Sequence, residues 1–361
     1  MSLVPHYIES LQPYEPGKSS EELRAQFHLS DVVKLASNEN PIGPSPLALK
    51  AIRQQETSLN LYPDSGLGLR RVLAEQYDLK VENVIVGSGS EGIISNIIRT
   101  FLSDEDEVLT TEAAFIGFQV LAKSRGVKYR TVPYRRWHYD LQALASAVNP
   151  HTKIIYLANP NNPTGTIFTR HEFDDFYRQI PARVLIILDE AYFEYAKDNP
   201  RYPDSMHYRY DNVITLRTFS KVYGLCGLRA GYALGSPDFK RAVDVVRQPF
   251  SVNALAQAAA SEALLHQDEV ARRAERTAIE RVHVESELAD RGLETTESQT
   301  NFTWISLGDR DEAEVMRGLG ERGVIVRSGT DLGGPGHLRV TFGTREENDR
   351  FLAALDQTLA A

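Results

Sequence analysis

The chain has 361 residues, of which 42% are hydrophobic and 25% charged, with a formal net charge of −9 and a single cysteine, Cys226. That length exceeds one ordinary core and predicts two domains, while the acidic balance argues against a nucleic-acid or anionic-membrane binder, which needs clustered Lys and Arg. One cysteine makes no intramolecular disulfide, no apolar run has the length of a membrane span, and the N-terminus lacks a basic start followed by an apolar stretch, so the cytoplasm is the expected compartment.

Residues 66–78 are amphipathic and predict a helix, after which VENVIVGSGS reads as a strand entering a glycine turn. IISNIIRTF predicts a helix, EVLTTEA a strand, FQVLAKSRG a helix closed by Gly126, and KYRTVPY a strand. KIIYLANP, RVLIILDEAY and NVITLRTFSK are apolar runs that each end in polar residues. Such runs between helices predict strands buried on both faces of a largely parallel sheet. In such sheets ligands sit beyond the carboxyl ends of the strands. Beyond residue 250 two helices are expected, over NALAQAAASEALL and the charged run 268–291. Strands follow at NFTWISL, GVIVRS and HLRVTF, with helices at 311–319 and 344–358. These predict a smaller α/β unit, on which the N-terminal segment 1–30 is expected to pack.

GSGSEG at 87–92 satisfies G-x-G-x-x-G through Gly87, Gly89 and Gly92, and Glu112 follows 20 residues after Gly92. Spacing alone admits a dinucleotide-binding reading. The physical content is narrower: backbone amides at a helix N-terminus hold a phosphate, whichever molecule carries it. Three other motifs stand at strand ends: Lys221 in RTFSKVYGLCGLRAG, preceded by Thr218 and Ser220 and followed by Arg229; Asp189 in LIILDEAYFEY; and Asn162 in ANPNNPTG. Singly, each has a plain reading as a surface lysine, a turn aspartate and a turn asparagine. At successive strand ends of one sheet they converge on one ligand. None of the histidines forms a metal motif, so no metal is expected.

NPNNPTG, DEAY and SK with its trailing GLR resemble the fold-type-I aminotransferases. PYEPGKS (13–19), KLASNENPIGPSP (34–46), NLYPD (60–64), RQPFSVNALAQ (247–257) and HLRVTFGTREEN (337–348) resemble, more narrowly, the histidinol-phosphate aminotransferase family. The resemblance implies an α/β fold with a large cofactor-binding domain over 31–255 and a small α/β domain formed by 1–30 with 256–361. It implies pyridoxal 5′-phosphate as cofactor and a homodimer with shared active sites. Lys221 is then the covalent attachment point and proton carrier, and Asp189 the partner of the ring nitrogen. Asn162 and Tyr192 bond the ring's phenolic oxygen, and Phe115 stacks on the ring. The family often carries tyrosine at Phe115 and again at Phe118; Phe118 reads better as helix core. Gly89, Ser90, Thr218, Ser220 and Arg229 would hold the phosphate, with Tyr62 reaching it from the partner subunit. Arg339 would grip a substrate carboxylate and Arg327 a substrate phosphate, while Tyr14 and Asn40 lie in segments that close over the substrate.

The implied reaction is amino transfer from L-histidinol phosphate to a 2-oxo acid, 2-oxoglutarate, in histidine biosynthesis. An aromatic amino-acid aminotransferase is the alternative; a pyridoxal-phosphate decarboxylase and a nicotinamide-dependent dehydrogenase are remoter ones. The family's usual text after Arg327 begins with proline and carries an aromatic residue shortly afterwards. Here it reads RSGTDLGGPG, which bears on the pocket for the substrate's distal end.

Overall fold

The computed structural model of the chain describes residues 3–11 and 20–360. Its apolar runs form β1 (Val33–Lys34), β2 (Val84–Gly87), β3 (Glu107–Thr111), β4 (Lys128–Val132), β5 (Thr152–Ala158), β6 (Leu185–Asp189), β7 (Val213–Thr218), β8 (Gly231–Leu234), β9 (Phe302–Ser306), β10 (Val324–Ile325), β11 (Arg327–Ser328) and β12 (His337–Thr341). Seven of them make the central sheet, in the order β2-β8-β7-β6-β5-β3-β4. Neighbours from β7 across to β4 run parallel. Every residue of β6 and β7 is buried, as expected of strands covered by helices on both faces, which is why their sequences are continuous rather than alternating. One face packs Ile93, Ile97, Phe118, Ile187 and Leu216 together, the other Leu109, Leu157, Phe173 and Ile186.

The sheet is largely parallel, as expected; the exception is β8, a strand the sequence pattern does not predict, which runs antiparallel to both β2 and β7. Four residues are too few to show a period. The strand starts beneath the glycine turn: a Cβ at Gly231 would lie 2.6 Å from the Ser90 amide nitrogen and 2.7 Å from the Gly89 carbonyl carbon. Only a residue without a side chain fits that approach.

Beyond the helices Ala254–Leu264 and Gln267–Asp290, strands β11, β12 and β9 form an antiparallel sheet. GVIVRS does not form one strand. It divides at Val326: β10 pairs with β1, whereas β11 pairs with β12. Val33 and Leu35 accordingly share a core with Val284, Leu319, Val340 and Phe351. The N-terminal segment divides as well. Leu23 packs with Ala36 and Ile325, whereas Tyr7 lies over Gly126, 2.9 Å from where a Cβ would stand, at the end of the helix Ile116–Ser124.

Candidate active site

The polar ends of β5, β6 and β7 open into a cavity of about 1240 Å³, whose wall also includes Lys34, residues 36–39, Arg327, residues 330–333 and Arg339. Lys221, Asp189, Tyr192, Asn162, Phe115 and Arg229 all line it. Parallel strands deliver their carboxyl ends to one edge, so motifs far apart in sequence meet there.

Asp189 is the last residue of β6 and only 4% exposed. Burial pushes its carboxyl up to about 6, against the favourable pull of hydrogen bonds from Tyr156 and Ala191 and of the Lys221 charge. The Tyr156 hydroxyl donates to one carboxylate oxygen at 2.6 Å and the Ala191 amide to the other at 3.1 Å. Tyr156 escaped the sequence reading; its signal is a lone phenol inside the aliphatic run KIIYLA. Phe118 stacks on it, ring centres 4.1 Å apart, and is fully buried, the core role expected of Phe118.

Lys221 stands just beyond β7. Its Nζ lies 3.5 Å from the Asn38 carbonyl oxygen and 5.6 Å from the centre of the Tyr192 ring. Asn38 donates from its side-chain amide to the Tyr192 hydroxyl at 2.8 Å, and Thr341 donates to the Asn38 side-chain oxygen at 3.0 Å. The resemblance places Asn40 in a segment that closes over the substrate. Asn40 is not among the residues that line the cavity; Asn38 is. The Asn40 amide donates instead to the carbonyl of Val222, next to Lys221, and its oxygen accepts from the Ile42 amide. Asn40 is thereby spent on holding two loops together. Tyr14 lies outside the described residues.

The helix Gly89–Phe101 points its N-terminus at the cavity through Ser90. Gly89 has φ +73, and a Cβ there would lie 2.7 Å from Nη2 of Arg229. Thr218 donates to Ser220 between their hydroxyls at 3.0 Å, and Arg229 meets Glu91 at 3.2 Å. A guanidinium, two hydroxyls and a helix N-terminus suit a phosphate monoester. Asp189 is a buried carboxylate suited to a protonated ring nitrogen, and Lys221 stands in the same cavity. The donor set therefore fits a phosphorylated pyridine aldehyde.

Arg327 and Arg339 are register partners on β11 and β12, 6% and 7% exposed. Arg339 donates to the Asn162 side-chain oxygen and to the Ala36 carbonyl, both at 2.7 Å. With that oxygen engaged, the amide nitrogen is the part of Asn162 that can donate to a ligand. Tyr62 is not brought to this cavity. It is 83% exposed and stacks on Phe250, ring centres 4.8 Å apart, beside a second groove lined by Leu61, Ala254 and Gln257.

Comparison with known proteins agrees with this geometry. The model of the family "Aminotransferase class I and II" matches residues 30–355. A histidinol-phosphate aminotransferase of Anaeromyxobacter sp. (strain Fw109-5) is 43% identical over 100% of both chains. One of Moorella thermoacetica is 41% identical over 98% of this chain and 92% of its own. The crystal structure of histidinol-phosphate aminotransferase from Sinorhizobium meliloti, in complex with pyridoxal-5′-phosphate, superposes with a TM-score of 0.90 at 30% identity, covering 100% of this chain and 98% of that one. The chain belongs to the class I and II aminotransferases and, within them, to the histidinol-phosphate aminotransferase family.

Proposed function

We propose that this protein binds pyridoxal 5′-phosphate and transfers the amino group of L-histidinol phosphate to 2-oxoglutarate, a step of histidine biosynthesis, in the cytoplasm. The observation that carries the reading is the gathering of Lys221, Asp189 and the Gly89–Arg229 phosphate cup in one cavity that faces the paired arginines Arg327 and Arg339. When bound, the cofactor supplies an electron sink for the bond broken at the substrate carbon.

Each protein group then has a role. Lys221 would anchor the cofactor and, once displaced by the substrate amine, would take the proton from the substrate carbon and deliver it to the cofactor. Asp189 as the anion keeps the ring nitrogen protonated. Tyr192, whose oxygen already accepts from Asn38, turns its own hydroxyl hydrogen to the ring's phenolic oxygen, joined by the Asn162 amide. Phe115 covers one ring face. Gly89 and Ser90 amides, the Thr218 and Ser220 hydroxyls and Arg229 hold the phosphate. Arg339 receives the carboxylate of the 2-oxo acid and Arg327 the phosphate of the donor, as a planar fork suits both. The nicotinamide reading of GSGSEG leaves Lys221 and Asp189 without work.

We also propose a homodimer in which the exposed Tyr62 of one subunit completes the phosphate site of the other, and a division into a large domain over 31–255 and a small one from 1–30 with 256–361. The test of the reaction is the visible spectrum of the cofactor-loaded protein before and after L-histidinol phosphate is added alone. Bleaching of the yellow band, with a new band in the near ultraviolet, is expected. A yellow protein bleached by phenylalanine and indifferent to histidinol phosphate replaces the donor with an aromatic one. A protein that never turns yellow sinks the cofactor assignment.

A further inference from the structure

The segment after Arg327, in RSGTDLGGPG, forms a loop beside that arginine. Residues 330–333 form part of the cavity wall. One carboxylate holds the loop that carries them. Glu312 accepts from the Ser328 hydroxyl at 2.5 Å, the Thr330 amide at 3.0 Å, the Thr330 hydroxyl at 2.8 Å and the Gly336 amide at 2.8 Å. Gly333 packs so closely on Ala113 that a Cβ there would come within 2.9 Å of the alanine's own. Asp331 is therefore carried on a clamped loop. Its amide bonds the Ser328 hydroxyl at 3.2 Å, and its carboxylate reaches the Arg327 guanidinium at 3.7 Å. The arginine side chain is 8% exposed and the aspartate side chain 54%.

We propose that Asp331 is a specificity-determining residue: an internal, exchangeable counter-ion for Arg327 that a substrate phosphate displaces and that an uncharged substrate leaves in place. The inference rests on the reading that Arg327 receives the donor's distal phosphate. The physical reason lies in the asymmetry of the pair. A guanidinium this buried is less costly beside a neutral ligand when a carboxylate stays near it, and Asp331 supplies one at 3.7 Å. The aspartate, more than half exposed, loses little when it swings into water. With Asp331 in place the pocket therefore tolerates donors whose distal group is an aromatic ring without charge. The same carboxylate opposes a phosphate dianion, both by occupying the guanidinium and by like-charge repulsion. The chain thus widens its donor range by weakening its grip on phosphate.

The experiment uses the cofactor-loaded protein and inorganic phosphate as probe, titrated by calorimetry at low ionic strength, where such an effect is least screened. Asp331→Asn is expected to bind phosphate about three- to tenfold more tightly than the parent, the scale of one partly exposed charge pair. Asp331→Glu is expected to return it to the parent value. Arg327→Gln is expected to remove the binding in both backgrounds. In turnover, Asp331→Asn raises the ratio of kcat/KM for histidinol phosphate over phenylalanine by a similar factor, through KM rather than kcat; loss of loop structure would instead lower both donors together.

If Asp331→Asn binds phosphate no better than the parent, the inference is overturned even where the parent uses histidinol phosphate. If the parent ignores histidinol phosphate while Asp331→Asn binds phosphate more tightly, the inference stands and the proposed donor falls. Phosphate binding that survives Arg327→Gln overturns the inference and the reading of Arg327 together.

Discussion

At Asp189 two effects oppose each other. Burial raises the carboxyl from its ordinary 3.8 to about 6, while Tyr156, Ala191 and Lys221 favour the anion. Because the folded chain holds this proton more tightly than the unfolded one, the group's contribution to stability is unaffected below about pH 4. It then declines as pH rises through about 6 and stays lower above that. Cofactor binding offsets the decline by bringing a ring cation to the carboxylate. The Asp189→Asn apoprotein is therefore expected to unfold a few degrees higher than the parent at pH 7 and at about the same temperature at pH 4, by calorimetry. The loaded variant is expected to lose activity by about 100-fold or more, since the anion that sustains ring protonation is gone. A variant destabilised at neutral pH would reverse this account of the site. The motif LDEAY announces a strand-end aspartate; the phenol that steadies it comes from β5 and is announced by nothing near Asp189.

The turn between β2 and the helix Gly89–Phe101 shows how one element serves both fold and site. Gly89 at φ +73 admits the Arg229 guanidinium. Alanine there carries a backbone cost of about 1 kcal/mol for the left-handed conformation. Its Cβ would displace the far end of Arg229, which is flexible enough to move. Gly89→Ala is thus expected to fold with an unchanged far-ultraviolet circular dichroism spectrum. Its dissociation constant for pyridoxal 5′-phosphate rises about tenfold, read by absorbance titration, if the cup is as proposed. Unchanged affinity would remove Arg229 and the turn from the phosphate site. The division of GVIVRS into β10 and β11 belongs to the same scale. A run of consecutive β-branched residues specifies extended backbone, but its neighbours decide how many sheets it joins.

Across the whole molecule, Leu59, Leu61 and Tyr62 are 61%, 64% and 83% exposed, next to Phe250. Apolar surface gathered in this way suits the proposed contact between subunits. Light scattering is expected to give about twice the 40.4 kDa of the chain. A sharper test mixes subunits. Lys221→Ala and Tyr62→Ala proteins, refolded together, form hybrids in which one site keeps its own Lys221 and receives an intact Tyr62 from its neighbour. Activity well above either parent variant is expected. No gain in a mixture proven to contain hybrids would mean that each subunit builds its site alone.

What the sequence determined by itself is local and repeated. Continuous aliphatic runs bounded by Gly, Pro and Asn specify buried strands, and the polar residues that end them, Asn162, Asp189 and Lys221, are delivered to one edge by any parallel sheet. The helices flanking them follow from period alone. What only the tertiary structure decided depends on partners distant in the chain. β8 runs antiparallel to β2, and its first residue, Gly231, lies hard against the glycine turn. Tyr156 meets Asp189 across two adjacent strands. Asn38 faces the cavity while Asn40 ties back to Val222, a choice that two asparagines two residues apart cannot reveal. Tyr7 finds Gly126 rather than the C-terminal unit. Asp331 stands 3.7 Å from Arg327 on a loop that Glu312, from another helix, holds through the Thr330 amide. A hydrogen bond or ion pair between remote residues leaves no period and no spacing in the chain, so it is set by packing once the local elements have formed.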